Sequence, residues 1–148
     1  MPHILIVEAP YYHDIANELR AGAIAALEVA GASYEVVAVP GAFEIPAAIA
    51  LAAGFHGAVA RAYDGYVALG CVIRGETTHY DYVCTESARG LQDLAVRHGL
   101  AIGFGILTVE NDAQAWTRAA RAKKNKGAEA VKAALAMIAL KHIFAVPA

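Results

Sequence analysis

The chain has only two cysteines, two methionines and one tryptophan in 148 residues. It also lacks a long apolar run. A membrane-spanning helix needs roughly 18 or more consecutive apolar residues, and no stretch reaches that. Cys71 and Cys84 have neither metal-ligand spacing nor the density of a secreted disulfide scaffold. They read as reduced, buried thiols. His and Cys do not cluster and no carboxylate pair stands out, so no metal constellation is expected. A basic surplus is missing too. The formal charge is -2 and the pI is near 6.3, which gives no general attraction to nucleic acid or anionic membranes. The N-terminus enters "HILIVEA" directly, with no basic n-region and no long h-region. The cytoplasm is therefore the expected compartment. Repeats, low-complexity tracts and linkers are all missing, and one domain over residues 1–148 is expected.

What the chain does have is apolar mass. Hydrophobic residues make up 58% and the mean hydropathy is +0.43. Ala-rich helices inflate that figure. A small domain cannot bury so much surface alone, so part of it is expected in a subunit interface.

Strand and helix signals alternate. "HILIVEA" reads as a strand. "DIANELRAGAIAALEVAG" follows as a helix, with Ile15, Leu19, Ile24 and Leu27 near helical spacing and Gly31 as its stop. "SYEVVAVP" is the second strand, ended by Pro40 and Gly41. "EIPAAIALAAG" is a helix that accepts Pro46 in its first turn. "YDGYVALGCVI" contains the third strand. "THYDYVCTESARGLQDLAVRHG" is a long helix closed by Gly99, and "LAIGFGILTV" is the fourth strand. "NDAQAWTRAARA" and "GAEAVKAALAMIALKHIF" are helices joined around "KKNKG". Nearly all-apolar strands imply helices on both faces. The expected fold is an α/β/α sandwich, flavodoxin-like, with a four-stranded parallel sheet in order 2-1-3-4.

Ligands of such sheets bind at the carboxyl ends of the strands. Four segments meet there: "EAPYYHD", "PGAFEIP", "IRGETTH" and "TVEND". Thr78 is placed to cap the third helix, with Asp81 completing a capping-box-like pattern. The free N–H groups of that first turn would seat an anion beside Glu76 and Thr77. An ordinary cap without ligand fits the same residues. The "GETTH" turn is neither a Walker A loop nor a GxGxxG fingerprint. His79 opens the helix, where an imidazole can accept a proton and return it; a surface or capping histidine is the alternative. His3, His56, His98 and His142 suit that plainer role, and His13 is a weaker site candidate. Tyr11 and Tyr12 offer flat faces for a planar ring, or simply pack under a loop. The small residues of the Pro40–Glu44 turn let a ligand approach the backbone. Glu44 can hold hydroxyls or merely favour a helix N-terminus. Arg118, Arg121, Lys123, Lys124 and Lys126 form a basic run, mostly a solvated face. Arg118, four residues after Gln114, is the one placed for a bidentate phosphate contact.

Four blocks, "VPGAFEIP", "LGCVIRGETTHYDYV", "FGILTVEN" and "NKGAEA", resemble the signature blocks of the lumazine synthase family, in the family's order and over nearly the whole chain. The resemblance implies condensation of 5-amino-6-(D-ribitylamino)uracil with 3,4-dihydroxy-2-butanone 4-phosphate, with loss of phosphate and two waters. It implies no metal or organic cofactor, the flavodoxin-like fold, and a homopentamer whose active sites lie between subunits. By position, His79 matches the proton donor and acceptor. Glu76, Thr77 and Arg118 match the phosphate contacts, and Tyr11 the aromatic that stacks on the pyrimidine. Ala42, Phe43 and Glu44 match the ribityl segment. Cys71, Val72 and Ile73 match the strand end that reads the uracil edge. Phe104 matches an aromatic supplied by the adjacent subunit. Two departures stand out. Tyr11 replaces the usual Phe or Trp and follows Pro10 rather than Arg, which removes a backbone donor. The strand that shell-forming members carry before "HILIV" has no counterpart, so a pentamer is expected, with a decamer or larger shell open. A flavin or lumazine carrier and a structural shell protein are rival readings. His79, Thr77 and Arg118 together favour the enzyme, because a carrier needs no proton shuttle.

Overall fold

In a computed structural model, which describes residues 1–57 and 63–145, strands and helices alternate along the chain. Strand β1 (His3–Glu8) leads to helix α1 (His13–Val29) and strand β2 (Ser33–Ala38). A short 3-10 turn (Ala42–Glu44) runs into α2 (Ile45–Ala52), followed by β3 (Gly65–Ile73) and α3 (His79–His98). The chain ends with β4 (Ile102–Val109), α4 (Asp112–Ala119) and α5 (Lys126–Ala145). The four strands are parallel in the order β2-β1-β3-β4, as expected. The register places Ile4 between Tyr34 and Gly65, and Tyr66 beside Ile102.

Successive side chains of a strand point to opposite faces, and here both faces are covered. Ile4, Ile6, Val67, Leu69, Leu107 and Val109 pack with residues of α1, α4 and α5. Leu5, Val7, Tyr66, Ala68 and Ile106 pack with residues of α2 and α3. Each such side chain, fully buried, stabilises the fold by about 1.5–3 kcal/mol. The crossovers follow from this division: α1 sits on one layer, α2 and α3 on the other, and the last two helices return to the first.

Two helices end where sequence placed their stops. Gly31 and Gly99 take φ of 72° and 67°, the left-handed region that a glycine enters without penalty. Gly103 serves differently. A Cβ on it would overlap the Ala130 carbonyl, so its missing side chain lets α5 lie directly on β4.

Strand β2 corrects one expectation. It is not covered on both faces: Val36 and Val37 are 37% and 43% exposed. β2 is an edge strand, and α1 and α2 lie mainly over the strands inside it. Among the described residues no helix is long and apolar enough to cross a membrane. Apolar side chains also stand out on the last helix, where Ile143 is 65% and Phe144 82% exposed.

One charge is buried at the sheet's carboxyl edge. Glu8 ends β1 with 5% exposure, and Arg20 of α1 donates to its Oε1 at 2.6 Å. Its Oε2 has no partner.

Candidate active site

The carboxyl ends of β1 and β3, the 3-10 turn and the first turns of α3 enclose a cleft of about 710 Å³. Tyr11, Ala42, Phe43 and Glu44 form one wall; Cys71, Val72, Ile73, Thr77 and His79 form the other. Nine of the twelve residues singled out in the sequence thus meet in one place.

The aromatic wall is open to ligand. Tyr11 is 72% exposed and Phe43 54%, and both line the cleft. Tyr12 braces Tyr11 edge-on, with centroids 4.9 Å apart and ring planes at 77°. Such edge-to-face pairs are favourable through the ring quadrupoles. Burial pushes the Tyr12 phenol above its ordinary range, and the Cys71 thiol beside it adds to this.

At the base, the Cys71 thiol is pushed up to about 11, chiefly by burial and then by Asp112 and Cys84. It stays protonated at neutral pH and acts as a wall, not a nucleophile. Cys84 is only half-buried, where a buried thiol is expected from the sequence. Both thiols are free, as expected.

The "GETTH" turn differs from its expected construction. Thr78 makes no side-chain cap, because its own backbone is already helical (φ -74°, ψ -1°). A side-chain cap needs an extended residue there, so that the oxygen can turn back to the first N–H groups. The Thr77 hydroxyl takes that role in part, accepting from the His79 backbone N–H at 3.3 Å. Asp81 completes no capping box; its carboxylate lies 3.5 Å from Arg74. By contrast, Asn111 is extended and accepts from the Gln114 backbone N–H at 2.9 Å, a true cap for α4.

Three expected residues lie outside the cleft lining. Glu76 stands exposed between Gly75 and Thr77, which do line it. Phe104, 48% exposed, faces a separate groove of about 470 Å³ against Leu91, Gln92 and Ala95 of α3. Arg118 is half-buried on α4, in the other helical layer, and donates to the Gln114 carbonyl at 3.1 Å. The rest of its basic run is a solvated face in part: Arg121 grips Glu18 at 3.0 Å and Lys126 pairs with Glu129 at 2.7 Å. The other histidines stay off the cleft. His3 bonds Ser33 and Glu35, and His98 lies against Phe55.

The profile of the family described as 6,7-dimethyl-8-ribityllumazine synthase matches residues 2–142. The chain is similar to the 6,7-dimethyl-8-ribityllumazine synthase of Agrobacterium fabrum, with 60% identity over 95% of each chain. It is 58% identical to the protein of the same name from Bartonella bacilliformis, over 97% of this chain and 92% of the relative. It is 60% identical to 6,7-dimethyl-8-ribityllumazine synthase 1 of Rhizobium meliloti, over 95% and 92%. The chain belongs to the 6,7-dimethyl-8-ribityllumazine synthase family.

Membership makes it a transferase of riboflavin biosynthesis with the α/β fold of lumazine synthases. Three cleft residues escaped the sequence reading of the site: Tyr80, Tyr82 and Val83. Tyr80, Tyr82 and Val83 belong to the helical run after His79, and their spacing reads equally well as core packing. Among the described residues no group of three or more His, Cys, Asp or Glu is placed to hold a metal.

Proposed function

We propose that the cleft is where this chain joins 5-amino-6-(D-ribitylamino)uracil to 3,4-dihydroxy-2-butanone 4-phosphate, giving 6,7-dimethyl-8-ribityllumazine, phosphate and two waters. The observation that carries the reading is the convergence of an exposed aromatic, a strand end and the N-terminus of α3 on one cavity. Tyr11 stacks on the pyrimidine. The end of β3 at Cys71, Val72 and Ile73 reads its edge, and Ala42, Phe43 and Glu44 hold the ribityl chain. Glu76 and Thr77 present the phosphate seat at the positive end of α3.

In this scheme the 5-amino group attacks the ketone, and loss of water leaves an imine. Phosphate departs by elimination, and the resulting enol becomes a ketone. The ribitylamino nitrogen attacks that carbonyl, and loss of the second water closes the ring. His79 accepts and returns protons at these steps. The larger share of the acceleration comes from holding two substrates in reacting geometry.

Arg118 and Phe104 stand apart from their own chain's cleft, so a neighbouring copy supplies both. In this reading the active unit is a homo-oligomer with sites at subunit boundaries, and the resemblance to lumazine synthases implies a pentamer or a multiple of pentamers. The exposed valines of β2 and the apolar end of α5 supply surface for such an assembly. Mixing the purified protein with both substrates and following lumazine fluorescence tests the reaction. Formation well above the uncatalysed background is expected; a rate equal to background would sink the reading. The assembly is checked by sedimentation mass.

A further inference from the structure

We propose that Arg74 is a positioning residue, a clamp that sets the phosphate-side turn without touching the phosphate. The inference rests on the reading of the cleft just given. Arg74 follows β3, and its backbone N–H donates to the Val109 carbonyl at 2.9 Å. Its side chain then reaches in three directions. Nε donates to Glu110 Oε2 at 2.8 Å, Nη1 lies 3.5 Å from Asp81 Oδ1, and the guanidinium carbon sits 4.3 Å above the Tyr80 ring. Glu110 is the first residue past β4; Tyr80 and Asp81 belong to the first turn of α3.

One side chain therefore ties the exit of β4 to the start of α3, and the turn Gly75–Thr78 runs from Arg74 itself to that helix. Thr78 gives that helix no side-chain cap, and among the described side chains only the Thr77 hydroxyl accepts from its first turn, at 3.3 Å. Tyr80 also lines the cleft directly after His79, so the stack fixes a wall of the site as well. A planar fork suits this bridge, because it can donate in its plane and stack through its face. The charge is already committed to two carboxylates. An arginine so engaged is a poor anion ligand and a good strut. A lone exposed ion pair would contribute little, but three contacts on one guanidinium form a network.

The two roles separate experimentally. Arg74→Ala, Arg74→Lys and Glu110→Gln are compared with the wild-type chain, varying each substrate in turn and measuring inorganic phosphate binding by calorimetry. A clamp predicts that Arg74→Ala and Glu110→Gln both raise the KM for the phosphate substrate, by about tenfold and about threefold, with the pyrimidine KM within about twofold. Phosphate affinity falls in parallel, and lysine recovers only part of it. A direct phosphate ligand predicts the opposite for Glu110→Gln, since freeing the guanidinium would tighten phosphate. That result overturns the proposal, as does wild-type phosphate affinity in Arg74→Ala. If Arg74→Ala fails to fold, Glu110→Gln decides alone. A wild-type chain that turns over neither substrate, yet loses phosphate affinity in both variants, overturns the reaction and keeps the clamp.

Discussion

The Thr77 hydroxyl oxygen accepts the backbone N–H of His79 at 3.3 Å, across the start of α3. One residue thus holds the proposed proton shuttle's backbone and faces the cleft. Thr77→Val keeps the shape and removes the oxygen, whereas Thr77→Ser keeps it. The valine variant is expected to raise the KM for the phosphate substrate by roughly three- to tenfold, since one hydrogen bond is worth about 1 kcal/mol. Serine should stay within about twofold. Initial rates with the pyrimidine saturating give the comparison.

His79→Ala should slow turnover by about a hundredfold, at the low end of what positioned acid-base groups supply. It should not abolish it, because both substrates remain held. Single-turnover rates separate this from weaker binding. A variant with wild-type turnover would remove His79 from the chemistry.

Cys71 gives a pH dependence whose sign can be worked out. Its thiol titrates near 9.0 unfolded and at about 11 folded. Between these values the folded state holds the proton that the unfolded state has lost, so stability declines as pH rises from about 9 to 11. Tyr12 and Tyr66 are also raised by burial and add to the decline. Replacing the thiol isolates its share: Cys71→Ala should show a shallower loss of Tm over that window than wild type. Parallel curves would contradict it.

Gly103→Ala should be among the most damaging small changes, because the new methyl meets the Ala130 backbone rather than a side chain that can turn away. Overpacking of this kind costs about 1–3 kcal/mol, occasionally more. Gly75→Ala is the control, with nothing within 4 Å of its added carbon. Chemical denaturation of the two variants should differ accordingly.

Much of the fold could be read from the chain. Apolar strands ended by turn residues, and glycine stops such as Gly99, specify local states that tertiary contacts do not overrule. What escaped depended on backbone angles or on distant partners. Thr78 has the right side chain for a cap but a helical backbone, which composition does not reveal. Val36 and Val37 look like core residues, and only strand order shows that they sit on an edge. The grip of Arg74 on Glu110 spans 36 residues. The sequence alone matches Arg118 and Phe104 to family positions, and the crossovers leave one in the far helical layer and the other facing a different groove.

That separation leads to the most direct test. His79→Ala and Arg118→Ala chains are each prepared alone and co-assembled in equal amounts. If Arg118 serves the cleft of a neighbour, a cleft from an Arg118→Ala chain beside a His79→Ala chain is fully intact. Random mixing then makes about a quarter of the sites wild type, and activity should rise toward that level. If Arg118 acts within its own chain, every mixed site keeps one defect. Activity at the mean of the two single variants would contradict a site shared between subunits.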